Sequence, residues 1–192
     1  MSLKHAILGF LSFQPMTGYD LKKAFDHSVQ FFWPANQSQI YRTLADLNEE
    51  GLVKLEIIAR EERLDMKIYH LTIAGQAEFH RWLSTPLPHQ DYREAFLIQV
   101  YFGGKIGDPE TILLLQHMIQ DVESALAQLV AMYQIYMEKI EQADARRDLF
   151  FNMLTLEYGI SSNQAALNWL NSVQDRLKAG SYSPLELKDL TR

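Results

Sequence analysis

A short polar run at the start of a helical pattern carries side chains suited to reading the hydrogen-bonding edges of nucleic-acid bases. Glutamine and arginine can each make two hydrogen bonds to a purine edge, while serine and tyrosine hydroxyls reach phosphate oxygens. A polar helix face that is merely solvated is the alternative interpretation, because such patterns also occur on ordinary surfaces. The candidate side chains are Gln37, Ser38, Gln39, Tyr41 and Arg42.

Apolar residues behind this run predict the helix that positions it. Ile40, Leu44 and Leu47 recur at helical spacing and predict a buried stripe on a helix from about residue 37 to residue 50. The polar side chains near the start of that helix would then face away from the core. The flanking sequence supplies an N-cap, a capping-box partner and a stop, which are Asn36, Gln39 and Gly51.

The surrounding elements predict a winged helix-turn-helix, in which a third helix enters the major groove of DNA and a β-hairpin forms the wing. Two helical segments precede the polar helix, at about residues 3–13 and 18–28. Two strand-like runs follow it, "LVKLEIIA" and "MKIYHLT", and a fourth helix, "IAGQAEFHRWL", comes after them. Basic side chains on the second helix and around the hairpin would hold the DNA backbone: Lys22, Lys23, Arg60, Arg63 and Lys67.

The second half of the chain is predicted to be helical, with two long helices at about residues 109–143 and 146–178. Apolar residues recur along both helices at alternating spacings of three and four, which is the pattern of a coiled-coil seam. A dimer interface is the preferred interpretation, and the core of a monomeric helical hairpin is the alternative. Asn163 either sets the register of pairing or faces solvent. The candidate dimerisation residues are Ile112, Leu115, Ile119, Val122, Leu126, Leu129, Leu156, Ile160, Leu167 and Leu170.

Composition limits the possible functions. The 192 residues are 47% hydrophobic and include no cysteine, so a core can form, while disulfides and thiolate-bound zinc are excluded. The net charge of −6 argues against indiscriminate binding to polyanions. Residues 1–84 carry 9 basic and 10 acidic side chains and residues 85–192 carry 9 and 14, so a nucleic-acid face must be local to the first segment.

Several kinds of site and location are not expected. No apolar run approaches the roughly 20 residues of a transmembrane helix, so a soluble, cytoplasmic protein is expected. The histidines show no paired metal-ligand spacing, and no nucleophile motif or phosphate-binding loop occurs. We therefore expect no metal, no cofactor and no catalytic activity.

The expected fold class is mainly α with a small β-hairpin. A proline pair in "STPLPHQ" marks the boundary between two domains. We expect an N-terminal winged helix-turn-helix DNA-binding domain over residues 1–84 and a C-terminal all-helical dimerisation and effector domain over residues 91–178. A tail follows over residues 179–192.

Three stretches follow one another over about 80 residues: "AILGFLSFQPMTGYDLKKAF", "FFWPANQSQIYRTLADLNEEGLV" and "IYHLTIAGQAEFHRWL". They contain Gly-Tyr at the start of the second helix, Gln-Ile-Tyr in the third helix, Glu-Glu-Gly-Leu at its end and Tyr-x-Leu-Thr-x-x-Gly after the wing. In this combination the chain resembles the PadR-like transcriptional regulators. "REAFLIQVYFGGKIGDPE", with the long helix after it, resembles the helical C-terminal domain of the long-form members. The resemblance implies a homodimeric repressor that binds operator DNA and is often released by a small ligand.

The resemblance also implies roles for individual residues. By matching position, the DNA contacts are Tyr19, Lys22, Ser38, Gln39, Tyr41, Arg42 and Lys67. The first helix is expected to help dimerisation, through Leu3 and Ile7. An aromatic ligand pocket between the domains is implied, although hydrophobic core is the alternative for each candidate. The candidate pocket residues are Trp33, Phe96, Phe102 and Trp169.

Two other classes of function are compatible with the sequence. A protein-interaction module would use the winged-helix scaffold without binding DNA. Glu61, Glu62 and Asp65 favour it, because carboxylates in the wing would repel phosphates. A small-molecule enzyme is the other class, and the lack of a catalytic motif argues against it.

Overall fold

The computed structural model of the chain describes residues 2–59, 65–88, 93–140 and 146–190. Its internal contacts divide the chain into two compact units, Met1–Asp91 and Tyr92–Arg192, which we call the first and the second unit. In the part of the chain that is described, no helix is both long enough and apolar enough to cross a membrane.

The first unit is a winged helix-turn-helix, as the sequence predicted. Its elements in chain order are α1 (Ser2–Phe13), β1 (Met16–Thr17), α2 (Gly18–Asp26), α3 (Gln37–Glu49), β2 (Val53–Ile58), β3 (Met66–Leu71) and α4 (Ile73–Leu83). Helix α3 packs against both α1 and α2, and α4 packs against α1. Three helices, the two wing strands and a fourth helix thus follow one another in the predicted order.

The predicted hairpin is confirmed as β2 and β3, and β1 adds a third strand to the sheet that the sequence did not predict. The strand order is β1-β3-β2, with antiparallel neighbours. Met16 pairs with Tyr69, and Thr17 pairs with Ile68. A strand of two residues is too short for alternation to show in the sequence, so only the tertiary arrangement reveals it. Thr17 also caps α2, because its hydroxyl accepts a hydrogen bond from the backbone N–H of Asp20 at 3.1 Å.

The predicted apolar stripe anchors α3 in the core of the first unit. Ile40, Leu44 and Leu47 are fully buried. On α2, Leu21 is fully buried as well, whereas Tyr19 is 56% exposed. Each fully buried aliphatic side chain contributes roughly 1.5–3 kcal/mol to folding. The stripe therefore fixes α3 firmly while its opposite face stays free.

A hydrogen-bonded joint fixes the wing and α4 to the end of α3. Gly51 follows α3 with a φ of 70°, which glycine adopts without strain. The Thr72 hydroxyl donates to the Gly51 carbonyl at 2.8 Å and accepts from the Gly75 N–H at 3.0 Å, which caps α4. A Cβ atom at Gly75 would lie 2.0 Å from the Leu52 carbonyl oxygen. The Leu-Thr-x-x-Gly sequence thus serves a close contact between α4 and the segment that enters the wing.

The second unit is helical, with bounds close to the predicted ones. Its elements are α5 (Ala95–Tyr101), a 3-10 helix (Gly103–Lys105), α6 (Asp108–Ile140), α7 (Arg146–Lys178) and α8 (Leu187–Leu190). Helices α6 and α7 each have 33 residues, which corresponds to about 50 Å. They pack against each other and run in opposite directions, because only residues 141–145 separate them.

Two polar contacts complete the second unit. The half-buried Asn163 donates its side-chain amide to the Gly159 carbonyl of its own helix at 2.8 Å, so one chain satisfies this hydrogen bond. After α7, the chain returns to the start of α6, where the Tyr182 hydroxyl donates to the Asp108 carboxylate at 2.6 Å. This hydrogen bond, together with the charge of Asp108, raises the pKa of Tyr182.

Candidate nucleic-acid interface

The N-terminal part of α3 presents the predicted base-reading side chains to solvent. All of them are exposed, namely Gln37, Ser38, Gln39, Tyr41 and Arg42. The backbone N–H groups of the first turn carry partial positive charge and favour a phosphate at this end of the helix. The structure therefore brings five candidate side chains and a favourable dipole together on one accessible surface.

A capping box holds the start of α3, as the sequence predicted. The Asn36 side-chain oxygen accepts from the Gln39 N–H at 2.9 Å, and the Gln39 side-chain oxygen accepts from the Asn36 N–H at 2.9 Å. The cap therefore uses one lone pair of the Gln39 carbonyl oxygen and restricts the orientation of its amide. A two-point contact to adenine needs a donor and an acceptor, and Gln37 is the candidate whose amide is not part of the capping box. Arg42 is the candidate for the corresponding contact to guanine.

Tyr41 lies at the contact between α2 and α3. A Cβ atom at Gly18, the first residue of α2, would lie 2.5 Å from the Tyr41 ring, so glycine is needed for this approach. The Tyr41 side chain remains 39% exposed. Burial, with a smaller contribution from Tyr41, raises the pKa of Tyr69 on β3.

Two lysines on α2 differ in how their charges are held. Lys22 forms an ion pair with Asp26 one turn along the helix, so its charge is partly neutralised. The Lys23 ammonium lies 4.7 Å from the centre of the Tyr19 ring. A cation–π contact of this kind orients an ammonium group but leaves its charge available. Sequence reasoning placed both lysines on the DNA backbone and did not foresee that Asp26 would compete for one of them.

The described part of the wing contains one of the three basic residues that were predicted to contact the DNA backbone. Lys67 is exposed on β3, opposite Ile57 of β2. Arg60 and Arg63 lie outside the described residues. One acidic side chain of the wing is engaged, because the Glu56 carboxylate lies 2.7 Å from a ring nitrogen of His70 on the neighbouring strand. That cross-strand pair gave no signal in the sequence, since its partners are 14 residues apart.

One chain buries several of the predicted dimerisation residues. Because α6 packs along α7, four of their side chains are 1–4% exposed, namely Leu115, Leu129, Leu156 and Leu170. Ile7 is fully buried in the core of the first unit. One chain therefore covers these side chains without a partner, because two helices of equal length pack on each other, and their part in dimerisation stays a prediction. The other candidates are half-buried, and their dimer contacts stay a prediction: Leu3, Ile112, Ile119, Val122, Leu126, Ile160 and Leu167.

A different apolar face of α7 is exposed and was missed by the sequence interpretation. Phe150, Phe151, Leu154 and Tyr158 are 51%, 49%, 38% and 76% exposed. Their helical spacing places them on a face separate from the buried seam. The helical spacing of these four residues could have predicted this face, but the sequence interpretation considered only the longer apolar seam of the same helix.

The predicted effector-pocket residues are divided between the two units of the chain. In the second unit, the rings of Phe96 and Trp169 meet edge to face at 6.4 Å. Phe102 packs on Tyr101 and is 57% exposed. Trp33 belongs to the first unit, where it lines a cavity of about 310 Å³. A shared aromatic pocket for these residues stays a prediction. Within the described ranges, no group of three or more His, Asp or Glu side chains is arranged to hold a metal ion.

Comparison with known proteins connects both halves of the chain to transcriptional regulators. The family model described as "Transcriptional regulator PadR-like family" matches residues 7–81. The model described as "Virulence activator alpha C-term" matches residues 92–178. The negative transcriptional regulator PadR of Bacillus subtilis is 30% identical over 173 residues, which cover 89% of this chain and 94% of the relative.

Solved structures agree with these matches over nearly the whole chain. The crystal structure of Bacillus subtilis PadR in complex with operator DNA has a TM-score of 0.80 at 28% identity, covering 92% of this chain and 99% of that one. The same protein in complex with p-coumaric acid has a TM-score of 0.76 at 28% identity, covering 92% and 95%. The Vibrio cholerae virulence activator AphA has a TM-score of 0.73 at 26% identity, covering 93% and 99%.

Proposed function

The chain belongs to the PadR-like family of transcriptional regulators, and on this premise we propose that it is a sequence-specific DNA-binding repressor that works as a homodimer and responds to a small ligand. The observation that carries the proposal is the exposed polar start of α3 above a fully buried apolar stripe. The relative from Bacillus subtilis supports it, since that protein is a negative regulator and its structures contain operator DNA and p-coumaric acid.

In the proposed complex, α3 enters the major groove. Gln37 and Arg42 read base edges, because both are exposed and each can make two hydrogen bonds to a purine. Ser38 and Tyr41 hydroxyls contact phosphates, and Lys23 adds a positive charge from α2.

A homodimer supplies the second recognition helix. Two-fold symmetry would place two copies of α3 about 34 Å apart, which matches one turn of DNA. The exposed aromatic face of α7 supports an interface in the second unit, because contiguous apolar surface on a soluble protein commonly marks a contact site. The proposal assigns no catalytic step to the chain. It includes a cytoplasmic location, since a repressor must share a compartment with its operator.

The test combines DNA selection with a measured affinity. Random duplexes are selected with the full chain, and fluorescence anisotropy then gives the dissociation constant for the selected sequence at 50 and 200 mM salt. We expect Arg42→Ala to weaken binding by about tenfold or more, because a two-point base contact contributes roughly 1–3 kcal/mol. Affinity for the selected DNA should also fall steeply with salt, since phosphate contacts release counterions.

The matched control is Arg81→Ala, which removes an arginine of α4 that is already bonded to Glu78. It should leave the DNA affinity unchanged. If no sequence is enriched and the chain shows no salt-dependent retention of DNA, the repressor proposal is wrong and the protein-interaction module takes its place. If Arg42→Ala and Arg81→Ala behave alike, Arg42 does not read the operator.

A further inference from the structure

A cavity of the first unit lies between α1 and the C-terminal half of α3. Its volume is about 310 Å³, which is at the lower end of the range for small-molecule sites. Helix α1 contributes Leu3 and Lys4 to its lining, α3 contributes Asp46 and Leu47, and Glu50 comes from the C-cap of α3. Trp33, from the segment before α3, adds an aromatic ring to the lining.

The position of the cavity links it to the DNA-facing surface. Asp46 lies on the same helix as Gln37 and Arg42, about one turn after Arg42 and between two and three turns after Gln37, and Glu50 is the C-cap of that helix. A molecule bound beside Asp46 would therefore contact α3 about one turn beyond Arg42, on the same side of the helix. It would also touch α1, the helix that packs against α3 in the core. Ligand and DNA would then bind the same rigid element.

The charges of the lining favour a cation. The Lys4 ammonium lies 2.5 Å from the Glu50 carboxylate, and Asp46 adds a second carboxylate, so one positive group faces two negative ones. An organic anion would meet net repulsion there. A positively charged amine could instead donate a hydrogen bond to the Asp46 carboxylate and leave the ion pair between Lys4 and Glu50 intact.

The apolar part of the lining favours an organic molecule over a metal ion. Trp33 is half-buried and packs against the core, so its ring is held in place. Leu3 is also half-buried and offers apolar contact to a hydrocarbon group, whereas Leu47 is fully buried beneath it. One aromatic ring, one accessible leucine and an unbalanced carboxylate together match an amine that carries an apolar group.

We propose that this cavity binds a small organic ammonium ion, whose amine pairs with Asp46 and whose apolar group contacts Trp33 and Leu3, and that this ligand is the effector of DNA binding. The effector role rests on the proposed function as a repressor, whereas binding of the cation to the free protein does not. Because coupling between two ligands is reciprocal, the cation must change the affinity for DNA by the same factor as DNA changes the affinity for the cation.

The first experiment measures binding to the full chain without DNA. Isothermal titration calorimetry compares 2-phenylethylamine, which is a cation at pH 7, with the neutral 2-phenylethanol and the anionic phenylacetate. We expect the amine to bind at least about tenfold more tightly than either analogue, because only it gains a charge-assisted hydrogen bond. Equal binding of the three probes would overturn the proposal.

Variants locate the site. Asp46→Asn keeps the shape of the side chain and should weaken amine binding by about tenfold. The matched control is Glu49→Gln, which removes a carboxylate from the same exposed end of α3 but not from the cavity lining, and it should leave the affinity unchanged. If Asp46→Asn binds the amine as the natural chain does, the cation does not occupy this cavity.

The second experiment repeats the DNA anisotropy measurement with saturating amine. We expect the DNA affinity to shift by about threefold or more, and the shift to vanish in Asp46→Asn. Salt-dependent DNA binding that is unaffected by bound amine would refute the effector role and leave the proposed function intact. Amine binding in a protein that selects no DNA would refute the proposed function and leave the cation site intact.

Discussion

The two units of the chain bury their apolar side chains to different degrees. In the first unit, Phe25 and Leu44 are completely inaccessible to solvent, and helices and strands enclose the core on several sides. In the second unit, Leu115 and Leu156 are buried between α6 and α7, yet Tyr158 on another face of α7 is 76% exposed.

The difference follows from how many layers each unit contains. A helix pair has one internal interface, so apolar residues on the outer faces need another layer to cover them. The first unit supplies its own layers through α1, α4 and the wing. We therefore expect the first unit to be sensitive to changes inside its core, and the second unit to be sensitive to changes on its surface.

The largest effect is expected from Phe25→Ala in the first unit. Phe25 is fully buried and lies 5.0 Å from Phe10, ring centre to ring centre. Removing a buried aromatic side chain costs about 3–5 kcal/mol, because the cavity that remains closes only partly. Urea denaturation followed by tryptophan fluorescence measures this loss. Phe13→Ala, at a position 66% exposed, should change the free energy of unfolding by less than about 0.5 kcal/mol.

A surface change in the second unit is expected to act on assembly. Leu154→Asp places a charge in the exposed apolar face of α7. If a partner covers this face, the variant should raise the dimer dissociation constant by roughly thirtyfold, or about 2 kcal/mol, because the charge would be buried at the interface. Sedimentation velocity over a range of concentrations measures the effect. Ile73→Asp changes an apolar residue of the first unit that is 89% exposed and should leave the dimer intact. If both variants dimerise like the natural chain, the exposed apolar face of α7 is not the dimer interface.

A smaller effect is expected at the start of α3. Asn36→Ala removes the side chain that caps the helix and should destabilise the first unit by about 1 kcal/mol. The hydrogen bond from the backbone N–H of residue 36 to the Gln39 side chain survives the change, because it uses no side-chain atom of Asn36. Thermal unfolding of Asn36→Ala beside Gln37→Ala, which changes an exposed residue of the first turn, separates capping from surface polarity. An equal loss of stability in the two variants would contradict the role of Asn36 as the N-cap of α3.

The smallest effect concerns pH. Hydrogen bonds from Arg81 and His5 lower the pKa of Glu78 below its usual value of 4.5. A lowered pKa means that the charged carboxylate stabilises the folded state above about pH 4.5, and that this stabilisation is lost as the pH falls through the folded-state pKa. Carbon-13 NMR titration of Glu78 should show its pKa rising in Arg81→Met, since Arg81 is the largest cause of the shift. An unchanged midpoint would exclude Arg81 as that cause.

Local signals in the sequence located α3 and its exposed face. The spacing of Ile40, Leu44 and Leu47 fixed which side would be buried, and Asn36 fixed where the helix would begin. These are short-range effects, because periodicity and capping depend on residues within four positions of one another. The glycine after α3 belongs to the same class, since its positive φ is a local requirement.

Contacts between distant residues could not be read in this way. The pairing of Met16 with Tyr69 and the burial of Leu115 beside α7 depend on which surfaces meet after folding. The same apolar seam is compatible with a partner helix from the same chain or from a second copy, and periodicity does not distinguish them. The sequence by itself therefore determined where the helices lie and which of their faces are apolar. Only the tertiary structure decided which elements cover those faces, because burial depends on neighbours in space rather than along the chain.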